Sequence, residues 1–532
     1  MQVNQLNKEI SNVLSFLTSN GYRMHPDAFA MLKGLDTDIL RIVQDIIKIK
    51  SKQKQSSTII IDDIKRLINP ESKVTTEDSR SSNIDTSIDN SELEKQQHNY
   101  KVILDASINV NTGEGVEGYT ALFRSRYEKS LRILSLRPES KRITKITSIK
   151  QKIHPNNNNN NNNIKSDKSN DRMGNFVSNS TSIVSGLLMS KRGKKNGVEI
   201  VIDDFSGSLN ALATTDELKK QASMLTLDQM VMLEVENISN KKKRLQGFVI
   251  KDIISPDIPD HLPARSKIES YAVLISDIHV GSKNFMETEF IRFLNWLSLS
   301  EDELVRKIKF ICIGGDLIDG IGIFPNQDKE LLETNTSKQV SHAVSLLNRI
   351  PKNLRVFIIP GNHDPGRRAL PQPSLPKRDF NELYLLENFT MVGNPSIVEL
   401  DGVKVLMYHG QSLDDIIATT PGLDYSKPVE AMKILLKARH LSPIYGQRTP
   451  IAPELEDMMV ITEVPDIFHS GHVHVIDVQS YRGTLIVNSG AWQSQTKFQQ
   501  TMGVVPTPGI AILVNLATLQ PYQMSFNQPL LV

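Results

Sequence analysis

The sequence predicts a multidomain protein with an N-terminal all-α module, a β-barrel domain and a C-terminal α/β sandwich of two sheets. In the first 69 residues, apolar side chains recur at spacings of three and four, which is the period of an amphipathic helix. Five short apolar runs separated by turn residues occupy the middle of the chain and are typical of a small barrel. After residue 268, runs rich in Val and Ile alternate with helical patterns, which favours an α/β domain.

Length and composition limit the classes of protein to which this chain can belong. A chain of 532 residues is long enough for two to four domains. The net charge of +2 gives no indication of a polyanionic partner. Cys312 is the only cysteine, so no internal disulfide can form and we expect a reducing compartment. Because the sequence shows no signal-peptide pattern and no run of 18 apolar residues, we expect a cytoplasmic protein without a membrane span.

Changes in composition predict where the domains begin and end. Residues 1–69 form the predicted helical module, which we interpret as a docking domain without chemistry of its own. Residues 70–97 are rich in Ser, Thr, Asp, Glu and Gln, and such a composition is typical of a disordered linker. The barrel domain is predicted at 98–255 and the C-terminal domain at 268–532. A run of eight asparagines lies inside the barrel domain, and we expect a disordered insertion at about 154–172.

The predicted barrel rests on five strands. They are Thr181–Val184, Val198–Ile202, Leu209–Ala213, Met230–Val235 and Leu245–Ile250. A further candidate strand, Lys101–Asp105, opens the domain. About five short strands with one helix fit a Greek-key barrel of the OB type. Such barrels bind single-stranded nucleic acid, but they also form contacts between proteins, so both functions stay open.

A basic stretch follows the first strand of this domain. Residues 119–136 have a helical pattern, and between Ala121 and His154 there are ten basic residues against two acids. The basic residues are Arg124, Arg126, Lys129, Arg132, Arg137, Lys141, Arg142, Lys145, Lys150 and Lys152. With aromatic residues interspersed, this stretch is compatible with contacts to a phosphate backbone. A solvated basic face is an equal alternative.

Five short polar signatures organise the C-terminal domain. They are Ser276–His279, Gly314–Gly320, Gly361–Asp364, Tyr408–Gly410 and Gly471–His474. Four of them follow apolar runs that predict strands, which are Tyr271–Ile275, Phe310–Ile313, Val356–Ile359 and Val403–Met407. Further strands are predicted at 475–479, 484–487 and 509–514, and helices at about 287–298, 335–349 and 426–439. Since sites of α/β sheets lie at the carboxyl ends of strands, we expect the signatures to converge.

The side chains of these signatures predict a metal centre. The candidate ligands are Asp277, His279, Asp316, Asn362, His409, His472 and His474. They offer only oxygen and nitrogen atoms, which suit Mn²⁺, Fe²⁺, Zn²⁺ or Mg²⁺. Seven ligands are too many for one tetrahedral ion with an open position. They are about right for two ions roughly 3.5–4 Å apart that share one carboxylate, an arrangement suited to phosphoryl displacement.

The five signatures resemble those of the calcineurin-like metallophosphoesterase superfamily. In particular, Leu274–Ser282 is similar to the first metal motif of the small subunits of archaeal family-D DNA polymerases. The segment Ile202–Leu212 resembles the core of their OB domain, and the basic helix from Tyr119 resembles the stretch that opens it. The resemblance covers roughly residues 98–532 and is strongest across 270–500.

This resemblance implies a proofreading subunit of a replicative DNA polymerase complex. The implied activity is a two-metal 3′→5′ exonuclease that hydrolyses phosphodiester bonds of DNA. The implied cofactors are two divalent ions, with Mn²⁺ expected and Mg²⁺, Fe²⁺ or Zn²⁺ also compatible. The implied partners are DNA, mainly single-stranded 3′ ends, and a large catalytic polymerase subunit for which this chain also serves as a scaffold.

The resemblance also implies a role for each residue. One ion would take Asp277, His279, Asp316 and His474, and the other would take Asp316, Asn362, His409 and His472, with Asp316 bridging. His363 would lie over the scissile phosphate, stabilise charge and protonate the departing 3′ oxygen. Asp364 either orients a histidine or caps a turn. Asp319 is expected beside the ligands or in a loop.

Two other functions are compatible with the signatures. A metal-dependent phosphatase would use the same ligands, although the barrel ahead of the C-terminal domain argues against it. A catalytically silent polymerase accessory scaffold would use the barrel and the helices for assembly alone, although the complete ligand set argues against it.

Overall fold

The computed structural model describes residues 23–24, 39–52, 58–59, 99–108, 110–153, 181–240 and 245–528. The chain forms two compact units, Met1–Asn90 and Ser91–Val532. The predicted linker at 70–97 and the Asn-rich insertion at 154–172 lie outside the described residues, as do residues 1–22 of the predicted helical module. None of the helices in the described ranges has the length and apolar character that a membrane crossing requires.

The first unit contains one helix and one short strand pair among its described residues. Helix α1 (Ile39–Lys52) agrees with the predicted helical pattern. Its buried side chains are Val43, Ile46 and Ile47, which lie on one face. Strands β1 (Arg23–Met24) and β2 (Thr58–Ile59) pair in parallel. The prediction of a purely helical module is therefore wrong. Two-residue strands are too short to show the alternation of side chains by which a strand is predicted.

The strand predicted at Lys101–Asp105 is present as β3 (Tyr100–Asp105), but the prediction that it belongs to the barrel domain is wrong. It pairs antiparallel with Ser396–Leu400 in the C-terminal domain. Val102 packs into the core of that domain. Side-chain alternation selects which face of a strand is buried, and it does not select the sheet that the strand joins. The remaining domain boundaries stay predictions.

The basic helix joins the barrel to the C-terminal domain. Helix α2 (Gly115–Leu134) begins four residues before the predicted start. Arg126 is fully buried, with Nε 2.8 Å from a carboxylate oxygen of Asp457, and Nζ of Lys129 lies 2.7 Å from Glu456. Phe123, Tyr127 and Leu131 pack against barrel side chains. Arg126 and Lys129 are therefore structural, and Arg137 donates to the Pro256 carbonyl at 3.3 Å. The exposed basic residues are Arg124, Arg132, Lys141, Arg142, Lys145 and Lys150.

The middle of the chain folds into a closed five-stranded barrel, and all five predicted strands are present. They are β4 (Thr181–Lys194), β5 (Gly197–Asp204), β6 (Gly207–Ala213), β7 (Met230–Asn240) and β8 (Leu245–Ile254). Their order is β4-β5-β6-β8-β7, with β6 and β8 parallel and β7 closing antiparallel on β4. Helices α3 (Ile146–Ile153) and α4 (Asp216–Met224) contribute buried side chains to the barrel core.

Two six-stranded sheets form the C-terminal sandwich. The first contains β9 (Tyr271–Ile275), β10 (Ile308–Ile313), β11 (Arg355–Ile358), β12 (Phe389–Met391), β18 (Ile510–Asn515) and β19 (Pro521–Ser525). The second contains β3 with β13 (Ser396–Leu400), β14 (Val403–Met407), β15 (Ile467–Ser470), β16 (Ile476–Tyr481) and β17 (Thr484–Ser489). Side chains such as Phe310, Phe357 and Val405 fill the space between them.

The strand orders are β12-β11-β10-β9-β18-β19 and β16-β17-β15-β14-β13-β3. Strands β9 to β12 are parallel, and so are β14, β15 and β17. The strands predicted after His474 are present, but they divide between the sheets. Strands β16 and β17 pair antiparallel in the second sheet, whereas β18 joins the first sheet beside β9.

Helices cover the outer faces of both sheets. They are α5 (Glu287–Leu299), α6 (Glu303–Arg306), α7 (Thr336–Leu347), α8 (Lys377–Tyr384), α9 (Leu413–Thr419), α10 (Pro428–Ala438) and α11 (Lys497–Met502). Helices α5, α7 and α10 confirm the three predicted helices. The first two pack on the first sheet and α10 packs on the second. Short 3₁₀ helices lie at Pro138–Arg142 and Gln327–Glu330.

The parallel strands place the five polar signatures at one edge of the sandwich. The signatures follow β9, β10 and β11 in the first sheet and β14 and β15 in the second. The carboxyl ends of parallel strands meet at the same edge of a sheet, so the loops after them converge there. The fifth signature also follows a strand, β15, which the sequence pattern had not predicted.

Candidate metal centre

Five of the seven predicted ligands have a left-handed backbone conformation. Their φ angles are 54° at Asp277, 55° at His279, 55° at Asp316, 69° at His472 and 64° at His474. This conformation costs roughly 1–2 kcal/mol for a residue other than glycine. Backbone hydrogen bonds hold the first two loops in it, since the amide of Asp277 donates to Gly315 and that of Ile278 donates to Asp316. Such strain concentrates at functional sites, where the surrounding structure enforces it.

One group of donor atoms surrounds Asp277. Nε2 of His474 lies 3.4 Å from Oδ1 of Asp277 and 3.1 Å from Nε2 of His279. Nε2 of His279 is 3.8 Å from Oδ1 of Asp277 and 3.7 Å from Oδ2 of Asp316. All four side chains are buried, so their donor atoms face one another and not solvent.

A second group shares the same Asp316 oxygen. Oδ2 of Asp316 lies 3.3 Å from Nε2 of His409, which is 2.9 Å from Oδ1 of Asn362. The same Asn362 oxygen is 3.0 Å from Nδ1 of His472. The structure therefore brings all seven predicted ligands into one cluster with Asp316 near its centre, and their division between two ions stays a prediction.

In three histidines the ring nitrogen that faces away from the cluster lies close to an oxygen atom, and in His409 it forms a hydrogen bond. Nδ1 of His279 lies 3.0 Å from Asp319, Nδ1 of His409 donates to the Gly314 carbonyl at 2.8 Å, and Nε2 of His472 lies 3.3 Å from Asp414. Such contacts fix the tautomer and ring orientation of metal-binding histidines. Asp319 thus lies beside His279, one of the predicted ligands. Sequence reasoning missed Asp414, because it lies on α9 and its distance from His472 depends on the fold.

His474 has a different outer contact. The side-chain amide of Gln499, on α11, lies 2.8 Å from its Nδ1. Gln499 also closes a capping box with Thr496 at the start of this helix. The Thr-x-x-Gln pattern is a recognisable helix start, but nothing in it indicates a contact with a histidine 25 residues earlier.

His363 lies at the edge of the cluster. Its Nδ1 donates to the carbonyl of Asp319 at 2.7 Å, and its Nε2 lies 4.0 Å from Oδ2 of Asp316. The side chain is 14% exposed, whereas those of His279 and His409 are 2% and 0% exposed. His363 is therefore placed to face both the cluster and whatever enters from solvent.

Asp364 binds backbone and not a histidine. Its carboxylate accepts hydrogen bonds from the amides of Leu317, Ile318 and Gly361 at 2.9–3.3 Å. Burial, with the charge of Asp316 adding to it, raises the pKa of Asp364 to about 7. Of the two predicted roles, the geometry favours the turn cap, because the carboxylate ties the loop after β10 to the loop after β11.

The electrostatics of the cluster favour a cation. Burial raises the pKa of Asp277, but hydrogen bonds with His279 and His474 outweigh it and hold the pKa well below its usual range. For Asp316 burial is likewise outweighed, chiefly by His409, so the pKa is lowered. Burial lowers the pKa of His409, yet the two carboxylates raise it to about 9. Both carboxylates are ionised and attract positive charge. A divalent cation that binds between them would therefore displace protons from the histidines.

Two glycines allow the loops to approach the carboxylates. A Cβ atom at Gly361 would lie 2.0 Å from Oδ1 of Asp316, and one at Gly471 would lie 2.3 Å from Oδ2 of Asp277. Any other residue would push these carboxylates out of place. Within the described residues, the carboxylates and histidines of the cluster form three overlapping triads whose donor atoms lie within 4.8 Å of one another. Their oxygen and nitrogen donors fit divalent metal ions.

A cavity of about 130 Å³ lies beside the cluster. Its wall includes Asp316, His363 and His472, together with residues that the signatures do not contain. These include Phe324, Tyr425, Arg448 and Phe498. Sequence reasoning missed them because each lies in a different loop or helix and none forms a motif with its neighbours.

Comparison with known proteins gives consistent matches. The family of the B subunits of DNA polymerases alpha and epsilon matches residues 272–474. The chain is similar to the "DNA polymerase II small subunit" of Methanothermobacter thermautotrophicus, at 33% identity over 81% of this chain and 84% of that protein. It is also similar to the protein of that name from Pyrococcus furiosus, at 36% identity over 77% of this chain and 64% of that protein.

Coverage differs between these relatives. The chain spans 61–64% of the length of the three Pyrococcus proteins. The protein of the same name from Thermoplasma acidophilum is 35% identical over 79% of this chain and 80% of that protein. A solved structure titled as a novel archaeal phosphodiesterase covers 48% of this chain and 98% of its own, at 12% identity and a TM-score of 0.25.

Proposed function

We propose, since this chain belongs to the family of archaeal DNA polymerase II small subunits, that it is a metal-dependent 3′→5′ exonuclease and the proofreading subunit of its polymerase. The observation that carries the proposal is the convergence of seven oxygen and nitrogen ligands around Asp316. The buried carboxylates and the strained backbone at five of these ligands support it, because a protein retains such costs where they serve a function.

The residues of the chain divide the work of phosphodiester hydrolysis. Two divalent ions, when bound, would lower the pKa of a water molecule and offset charge on the phosphoryl oxygens. Asp277, His279 and His474 would hold one ion, Asn362, His409 and His472 would hold the other, and Asp316 would be shared. The amide of His363 donates to Oδ1 of Asp316 at 2.8 Å, so that carboxylate is fixed with Oδ2 facing both groups.

His363 is the proposed catalytic histidine. Because its Nδ1 is engaged with the Asp319 carbonyl, Nε2 is the nitrogen that can reach a substrate oxygen. From there it would stabilise charge on the phosphate and, when the ring is protonated at both nitrogens, donate the Nε2 proton to the departing 3′ oxygen. Such general acid catalysis contributes about 10²–10⁴-fold to the rate.

Other features of the second unit support a nucleic-acid substrate. Arg448 is the one lysine or arginine among the cavity-lining residues that the structure describes, and a guanidinium can bind a phosphate through two parallel hydrogen bonds. The closed five-stranded barrel fits an OB fold, for which both strand binding and contacts between subunits are established uses. We propose that the barrel and the exposed basic residues of α2 contact DNA or the large polymerase subunit, for which the chain is also a scaffold.

The test uses the protein purified together with the polymerase subunit encoded by its own genome. Matched and mismatched 5′-labelled primers are incubated with Mn²⁺ or Mg²⁺, and a phosphomonoester is assayed beside them. We expect stepwise shortening from the 3′ end, faster for mismatched primers, and loss of this activity in His363→Ala. Hydrolysis of the phosphomonoester alone would indicate a phosphatase, and no hydrolysis by a metal-loaded complex would indicate a scaffold.

A further inference from the structure

Two stacked phenylalanines lie at the cavity beside the metal cluster. The rings of Phe324 and Phe498 are parallel within 23°, and their centroids are 4.9 Å apart. Phe324 belongs to the loop after β10, and Phe498 is the second residue of α11. The centroid of Phe324 is 6.4 Å from that of His363, so the pair adjoins the proposed catalytic histidine.

Core packing does not account for this pair. Phe498 is 46% exposed, Phe324 is half-buried, and Met502, which lines the same cavity, is 40% exposed. Apolar area that stays in water contributes little to stability, so these side chains gain little from their position. An exposed apolar patch of this kind at the wall of a cavity is typical of a binding surface.

The rest of the cavity indicates what binds there. The metal cluster and His363 form one part of its wall, and Arg448 lies on the same wall. A substrate that contacts both the metal cluster and the two phenylalanines needs a phosphate and, on the same nucleotide-sized unit, a flat apolar group. An unpaired nucleotide has both, since its base presents a π face that stacks on aromatic side chains regardless of sequence.

We propose that Phe324 and Phe498 stack the unpaired base of the terminal nucleotide, and that this contact makes the site distinguish an end that carries a base from one that does not. The inference rests on the proposed exonuclease function and deepens it. A paired base cannot reach the platform without leaving its duplex, and this costs least at a mismatch. The platform would then select mispaired ends by the ease with which they open, without reading any base.

The experiment uses the complex with its polymerase subunit, Mn²⁺ and two single-stranded oligonucleotides. One ends in a normal 3′ nucleotide, and the other is identical except that its terminal nucleotide is abasic. We expect the wild type to cleave the normal end with a kcat/KM higher by about 5- to 150-fold, the range of one base–aromatic contact. Phe498→Ala is expected to cleave both ends at the rate of the abasic one.

Two control variants test whether the base preference depends on the aromatic ring at position 498. Phe498→Tyr keeps an aromatic ring and should retain the preference for the base. Tyr522→Ala removes an aromatic side chain of similar exposure, 44%, that does not line the cavity, and should leave the preference unchanged. The base preference is a ratio within one variant, so partial misfolding, which lowers both rates equally, does not change it.

The outcomes separate this inference from the function on which it rests. If the wild type degrades both ends and Phe498→Ala keeps the full preference for the base, the stacking platform is wrong and the exonuclease stands. If Tyr522→Ala abolishes the preference as strongly as Phe498→Ala does, the platform is also wrong. If the metal-loaded wild type degrades neither end, the exonuclease is wrong and the platform falls with it.

Discussion

Replacing Asp414 with asparagine is expected to lower the binding affinity for one of the two proposed metal ions and to leave the affinity for the other unchanged. Asp414 lies 3.3 Å from Nε2 of His472 and contributes to the second group of ligands only. Asn preserves the size of the side chain but removes the charge that fixes the ring of His472. Loss of such an outer partner typically lowers metal affinity by about 10–100-fold.

Asp319 offers a matched variant for the first ion. Its carboxylate lies 3.0 Å from Nδ1 of His279, a ligand of the first group. Asp319→Asn should therefore lower the affinity for the first ion by the same factor of about 10–100. This factor corresponds to roughly 1.4–2.7 kcal/mol of binding free energy. Each variant then affects one ion, and the two variants affect different ones.

The assay is a titration of the metal-free protein with Mn²⁺ by calorimetry, supported by the metal content after dialysis against a limiting concentration. The wild type should bind two ions per chain, and each variant should keep one of them at wild-type affinity. The reasoning is refuted if either variant lowers the affinity for both ions equally. It is also refuted if both variants bind two ions as tightly as the wild type does.

Three further perturbations test separate parts of the structure. His363→Ala should lower kcat by about 10²–10⁴-fold with the Mn²⁺ content unchanged, and loss of the ions would show that His363 is a ligand. Asp316→Ala should remove both ions, since its Oδ2 belongs to both groups, and a crystal of the variant that holds two ions would contradict the bridge. Burial and the neighbouring Arg126 lower the pKa of His440 to about 4, from an ordinary value of 6.5, although Asp457 opposes this. The unfolded state therefore binds more protons between these values, and about 3 kcal/mol of stability should be lost as the pH falls from 6.5 to 4. Asp364, whose raised pKa has the opposite effect on stability, titrates in both proteins. Urea unfolding should therefore show that the change from pH 6.5 to 4 is less favourable by about 3 kcal/mol in the wild type than in His440→Gln, and an equal pH dependence in the two proteins would contradict the reasoning.

The parts of the site that could be predicted from the sequence are those that local pattern determines. Each of the four predicted apolar runs is a strand, and the polar residues after it lie at the same edge of the sandwich. Asp277 and Asp316 could be placed in this way because a short strand leaves little freedom in where its carboxyl end points. The same logic predicted helices α5, α7 and α10.

The parts that could not be predicted depend on contacts between distant segments. The alternation in β3 is equally compatible with the barrel and with β13, and only the completed sheet selects one. Asp414 and Gln499 are ordinary helix residues until the fold brings them to the histidines. The role of Asp364 could not be decided either, because a carboxylate beside a histidine in sequence can bind backbone in space.

The pairing of β3 with β13 places the barrel between two segments of the same C-terminal sandwich. The polypeptide leaves the second sheet after residue 105, passes through α2 and the barrel, and returns at β9. A fragment cut at residue 268 would lose β3 and leave the backbone amides and carbonyls of β13 unpaired along a free sheet edge. Such edges recruit other chains, so a truncated sandwich would be prone to self-association. The smallest soluble fragment should accordingly begin before Tyr100 and carry the barrel with it.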